Sequence, residues 1–296
     1  MNSITNNNQI NYIFFGSSNL SVIVLNELKQ SNYLPSIIVT TPDKEQGRKL
    51  VMKPNVVKQW AIDNNIAFYD AGKLNAEVVE RLKSDATKMN AQLFIVASYG
   101  KIIPKAVLDI PTKGSLNIHP SLLPKYRGPS PLPSVILADD KHTGVTIMKI
   151  DEQMDHGPIV AQKLIDIDEW PTYEDFEEMM AISGAQLLIE TIPRWIAGDL
   201  KETPQDHTAA TFTKKIVKED ALIALDDVNA DQYLNFRKVQ AYHEWPQAYF
   251  MVNKRDKLIR VKITSATYSN DKLTVTKVIP EGGREMLYED FVRGLK

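Results

Sequence analysis

From residue 10 to residue 165, short apolar runs rich in β-branched and aromatic residues alternate with stretches of helical spacing. The runs Ile10–Phe15, Ser36–Thr40, Leu93–Ala97, Ser115–His119, Gly144–Ile150 and Ile159–Ile165 predict strands. Between the first two, Leu20, Ile23, Val24, Leu25 and Leu28 recur at helical spacing and predict a helix over Asn19–Gln30. Asn55–Asn64 and Asn75–Ser84 follow the same pattern. A longer amphipathic helix is predicted over Thr172–Ala197, with Thr172 as N-cap and Glu174 and Asp175 where the helix dipole favours negative charge. Strands alternating with helices are the sequence form of βαβ units, so the predicted class is α/β with a mostly parallel sheet.

The periodicity stops between residues 199 and 213, where Thr, Pro and small residues accumulate; this segment reads as a linker. Beyond it come a helix near Ala230–Ala241 and short strands at Ala248–Val252, Leu258–Thr264 and Leu273–Val278. The expected division is therefore a larger domain over residues 1–206 and a small β-rich domain over 207–296. Charge separates the same two parts. Residues 214–296 carry 15 Lys and Arg against 12 Asp and Glu, whereas residues 1–213 carry 20 against 25. The overall charge of −2 predicts no particular partner, but its distribution, net +3 in the tail and net −5 before it, sets the two parts apart.

Zero cysteines exclude disulfides, Cys-ligated metals and thiol catalysis. No apolar run approaches the length of a membrane span, and the first residues carry no basic, signal-like region, so a cytoplasmic protein without membrane association is expected. The turn after the first predicted strand, Gly16-Ser17-Ser18-Asn19-Leu20-Ser21, has one glycine, which argues against dinucleotide binding. Neither a P-loop nor a G-x-S-x-G motif is present. The five histidines lack metal-binding spacing, so no catalytic metal is expected.

Candidate chemistry lies in two segments. In the strand Ser115–His119, Asn117 and His119 are two residues apart and project from one face, while Leu116 and Ile118 project from the other. Pro120 ends the strand, and a polar pair near a strand's carboxyl end lies where open parallel sheets bind ligands. One strand later comes the acidic loop Asp151–Asp155. An amide donor, an imidazole and a carboxylate together suit acyl transfer to nitrogen: the amide and imidazole can stabilise an oxyanion, and the carboxylate can hold the imidazole and accept a proton. The same pieces also occur as a hydrogen-bonded strand end and a solvated turn.

The segment Ser115-Leu-Asn117-Ile-His119-Pro-Ser121-Leu-Leu-Pro124-Lys-Tyr-Arg-Gly128, followed by Thr143–Met148 and Met154-Asp155-His-Gly157, resembles the folate-dependent formyltransferases, in their methionyl-tRNA branch. Leu93–Pro104, Phe212–Ile216 and Trp245-Pro246 fit the same branch. The resemblance implies a Rossmann-like catalytic domain, a small OB-like C-terminal domain that binds tRNA, and a monomer. The activity it implies is transfer of the formyl group of 10-formyltetrahydrofolate to the α-amino group of initiator methionyl-tRNA. The family's catalytic residues fall on Asn117, His119 and Asp155. Its folate site falls on Ser121, Leu122, Leu123 and Pro124, on the backbone of Ile95, Val96, Ala97 and Tyr99, and on Asp151. The basic loop holding Arg48, Lys49 and Lys53 is implied to contact tRNA, as is the cluster Lys254, Arg255 and Lys257. A formyltransferase acting on an amino-sugar nucleotide or another small amine shares this chemistry and lacks the need for basic tRNA contacts.

Overall fold

The computed structural model describes residues 10–46, 51–225, 230–254 and 257–295. In chain order the first elements are β1 (Tyr12–Phe15), α1 (Asn19–Gln30), β2 (Ile37–Thr40), β3 (Lys44–Gln46), β4 (Val51–Lys53), α2 (Val56–Asp63), β5 (Ala67–Asp70), α3 (Ala76–Lys88), β6 (Leu93–Val96), α4 (Lys105–Leu108) and β7 (Ser115–His119). They are followed by α5 (Pro131–Ala138), β8 (His142–Lys149), β9 (Ile159–Asp166) and α6 (Tyr173–Ala197). The remainder comprises α7 (Gln232–Ala241), β10 (Tyr249–Lys254), β11 (Lys257–Ser269), β12 (Lys272–Pro280), β13 (Met286–Leu287) and α8 (Tyr288–Arg293).

Seven strands form one sheet in the order β5-β2-β1-β6-β7-β8-β9. The pairs β1–β2, β2–β5, β1–β6 and β6–β7 are parallel, and β7–β8 is antiparallel. Every residue of β1, β2 and β6 is buried, as expected of strands covered on both faces. The chain builds outward from β1 to β2 and β5, then returns to place β6 on the other side of β1. That reversal between β1 and β6 creates a crevice at the carboxyl ends of the strands.

Local chemistry sets the element ends. In α1, Leu20, Val24, Leu25 and Leu28 form the buried stripe, and Ser18 and Ser21 make a reciprocal capping box at its start. Ser21 is fully buried because its hydroxyl also donates to the Ala97 carbonyl at 2.6 Å, tying the first turn to the end of β6. Strand β1 begins at Tyr12 rather than Ile10; the side chain of Asn11 donates to the Met89 carbonyl at 2.7 Å before the strand starts. Helix α3 runs on past Ser84 to Lys88, burying Leu82 and Ala86.

The chain divides into two compact units, one of residues 1–127, 144–164 and 178–211, the other of residues 128–143, 165–177 and 212–296. In the first, Ile13, Phe15, Ile37, Val39, Phe94 and Val96 join Leu82 and Ala86 in one apolar cluster. In the second, β10–β13 form a four-stranded antiparallel sheet whose core includes Phe250, Val261, Ile263, Val278, Val239 and Phe291. Among the described residues no helix is long and apolar enough to cross a membrane.

Candidate active site

The site is built on β7. Its register sets Asn117 beside Val96 of β6 and Met148 of β8, and His119 beside Thr146 of β8. Leu116 and Ile118 are buried on the opposite face, where a side chain at Gly184 of α6 would collide with Ile118 at 2.5 Å. The face left for Asn117 and His119 receives the loop between β8 and β9. This loop folds back tightly: a Cβ at Gly157 would lie 1.9 Å from the Lys149 carbonyl oxygen, so only glycine fits that approach.

The fold-back delivers Asp155 to His119. Asp155 Oδ1 lies 3.6 Å from His119 Nδ1, with both side chains largely shielded from water. His119 Nε2 lies 3.0 Å from the Tyr126 carbonyl, which can only accept, so Nε2 carries a hydrogen and Nδ1 is the nitrogen turned to the carboxylate. Asn117 is half-buried, and among the described residues its amide has no side-chain or backbone partner. The structure thus brings an amide donor, an imidazole and a carboxylate to one strand face.

The Ser121–Pro124 stretch is a rigid turn. Thr146, fully buried in β8, donates its hydroxyl to the Ser121 carbonyl at 2.7 Å. The Thr146 hydroxyl oxygen itself accepts from the Leu123 amide at 3.1 Å and from Gln162 Nε2 at 2.9 Å, which saturates it. Gln162 Nε2 also reaches the Leu123 carbonyl at 2.9 Å, and the Ser121 hydroxyl donates to the Lys125 carbonyl at 2.8 Å. The Leu123–Pro124 peptide is cis.

Ile95 and Val96 lie within β6, buried and paired to β1 and β7. Ala97 and Tyr99 follow at the strand's carboxyl end. The Tyr99 carbonyl accepts from the Ser17 hydroxyl at 2.9 Å, while its ring packs edge-on to Phe15 in the core. Burial pushes the Tyr99 phenol up to about 12, so what this residue offers a ligand is backbone. Asp151 is engaged inside its own loop: one oxygen accepts from the Gln153 amide at 2.9 Å and the other meets His156 Nδ1 at 2.6 Å.

Of the basic residues, Lys53 is exposed in β4. Lys254 and Lys257 face each other across the turn of the β10–β11 hairpin, Lys254 with its ammonium 5.9 Å from the Phe291 ring centre. Arg48, Lys49 and Arg255 lie outside the described residues.

Four contributors were not singled out by sequence reasoning. Thr146 and Gln162 hold the Ser121–Pro124 turn, and Arg127 and Gln205 form a buried pair behind the Asp155 loop. For Arg127 a signal existed, since an arginine in an apolar motif needs a buried partner. For Gln205, in the predicted linker, there was none.

A family model described as formyl transferase matches residues 8–192. The chain belongs to the methionyl-tRNA formyltransferase family. It is 40% identical to the methionyl-tRNA formyltransferase of Chloroflexus aggregans over 80% of this chain and 75% of that protein. With the enzyme of Halalkalibacterium halodurans it shares 34% identity over 95% of this chain and 94% of the relative. Among solved structures, HypX from Aquifex aeolicus in complex with tetrahydrofolic acid superposes with a TM-score of 0.66 at 15% identity, over 97% of this chain and 47% of that one. The family's α/β sheet is the one described above, followed by the antiparallel four-stranded sheet.

Proposed function

We propose that this chain transfers the formyl group of 10-formyltetrahydrofolate to the α-amino group of initiator methionyl-tRNA, with Asn117, His119 and Asp155 as its catalytic residues. The observation that carries the reading is the approach of the Asp155 carboxylate to His119 Nδ1 at 3.6 Å on the face that bears Asn117. Family membership supplies the reaction class. The tetrahydrofolate bound to HypX, which shares the fold, supports a folate donor.

The chemistry follows from the donors and acceptors present. The α-amino group, with a reference pKa of about 8, must attack as the neutral amine. Its nitrogen bonds to the formyl carbon, and the carbonyl oxygen becomes an oxyanion that the Asn117 amide and a protonated His119 Nδ1 stabilise. The proton shed by the amine passes to the Asp155–His119 pair. It returns to the folate nitrogen as the bond from that nitrogen to the formyl carbon breaks, so the enzyme ends as it began. Folate would be held by the Ser121–Pro124 turn, the backbone of Ile95, Val96, Ala97 and Tyr99, and the Asp151–Asp155 loop.

Residues 207–296 are proposed as the OB-like tRNA-binding part, with Lys254, Arg255 and Lys257 on phosphates and Arg48, Lys49 and Lys53 on the acceptor end. Such contacts position the RNA without reading its bases. We assign the protein to the cytoplasm, as a monomer without a bound metal.

The test offers 10-formyltetrahydrofolate with charged initiator tRNA in one reaction and amino-sugar nucleotides in others, all with EDTA. Formylmethionyl-tRNA should form, at a rate that falls steeply between 50 and 200 mM salt when tRNA is below saturation. Formylation of the amino sugars in preference to the tRNA would overturn the assignment.

A further inference from the structure

We propose that Gln205 is a positioning residue that holds Asp155 in its working orientation. The inference rests on the assignment of Asp155 as a catalytic group. Gln205 is 5% exposed and its amide is saturated. Its oxygen accepts from Arg127 Nε at 3.1 Å and Nη2 at 2.6 Å, and its nitrogen donates to the carbonyls of Asp155 at 2.9 Å and Gly157 at 2.7 Å. All four hydrogen-bonding positions of the amide are spent, one of them on the Gly157 peptide and one on the peptide of Asp155, which carries the carboxylate.

That peptide needs holding. Asp155 has φ +49°, in the left-handed region that residues other than glycine adopt rarely. The surrounding bonds must over-determine such a conformation for it to persist. Arg127 supplies the base of the clamp: it is 3% exposed, its own amide donates to the Thr211 carbonyl at 2.9 Å, and Nη2 lies 2.9 Å from His207 Nδ1. A guanidinium cannot accept, so that His207 nitrogen is the acceptor. The His207 ring in turn stacks on His156 at 4.0 Å and 5°, and His156 reaches Asp151 across the loop. The loop is gripped at its Asp155–Gly157 end by Gln205 and along its flank by His207. The Asp155–His119 distance therefore depends on a glutamine 50 residues downstream of the carboxylate.

A double-mutant cycle tests this. Gln205→Glu keeps the size and an acceptor for Arg127, but sets carboxylate oxygen against two carbonyl oxygens. Gln205→Met removes all four bonds. Each should lower kcat/KM by about 10- to 100-fold, the scale of an ångström-sized misplacement of a catalytic group. Asp155→Ala alone should lose about 100-fold. Placed in the Asp155→Ala background, either Gln205 change should cost less than about twofold, because the group it positions is gone. A merely structural role would give the same factor in both backgrounds, and that result overturns the proposal, as does near-parental activity of both Gln205 variants. If Gln205→Met fails to fold, Gln205→Glu, with Arg127 still paired, decides the matter. Near-parental activity of Asp155→Ala would instead remove the catalytic assignment itself, and the clamp with it.

Discussion

Replacing His119 with alanine should lower kcat by about 10³-fold, in the middle of the range for a positioned acid–base group. The ring is 4% exposed, with one nitrogen on the Tyr126 carbonyl and the other facing Asp155, so no neighbouring side chain duplicates its reach. The substitution also removes the hydrogen bond to the Tyr126 carbonyl, at a stability cost of about 0.5–1.5 kcal/mol. For a chain of this size that is a drop of a few degrees in Tm, and it does not unfold the protein at 25 °C. Steady-state kinetics beside a thermal melt separates the two effects. A kcat within fivefold of the parent would strip His119 of its role.

Asn117→Ala should show the opposite balance between activity and stability. Losing a single oxyanion donor costs roughly 10²- to 10³-fold in kcat. Among the described residues nothing is bonded to this amide, so its removal orphans no partner, and stability should stay within about 0.5 kcal/mol of the parent. A half-buried amide that contributes little to the fold and much to turnover is the signature of a group kept for a ligand. Unchanged kcat with lowered stability would assign Asn117 to the architecture instead. Measuring both quantities on one preparation gives a direct answer.

What the sequence made legible follows from periodicity. β7 was readable residue for residue because its alternation is uninterrupted and Pro120 stops it. Helix α1 was readable because four apolar residues recur on one stripe behind a serine cap. The alternation also put Asn117 and His119 on one face, and the structure sets both on the face of β7 opposite Leu116 and Ile118.

Elements without such patterns were missed. α5 begins Pro131-Leu132-Pro133, and two prolines in the first turn hide a helix whose buried residues are Leu132, Val135 and Ile136. β5 is a four-residue edge strand with exposed ends and no alternation. β11 runs to Ser269, past the expected end at Thr264, through a register shift near Ser265 that breaks the two-residue period.

The supports of the site were illegible for a different reason. Gln205 reaches Arg127 across 78 residues, and Gln162 reaches Leu123 across 39. Pairings of that separation leave no local trace in a single sequence. The acidic loop illustrates the limit within one segment. His156, between Asp155 and Gly157, is turned to Asp151 and His207 rather than to His119, an orientation fixed by the left-handed Asp155 and the fold-back at Gly157.

The most direct measurement is the position of the formyl group in a crystal structure with a stable formyl-folate bound. The formyl oxygen should lie about 3 Å from Asn117 Nδ2, and the formyl carbon should leave room for a nitrogen approaching at about 3–3.5 Å from the side of Asp155. A formyl group found beyond the reach of all three side chains, with the folate seated away from the Ser121–Pro124 turn, would contradict the account.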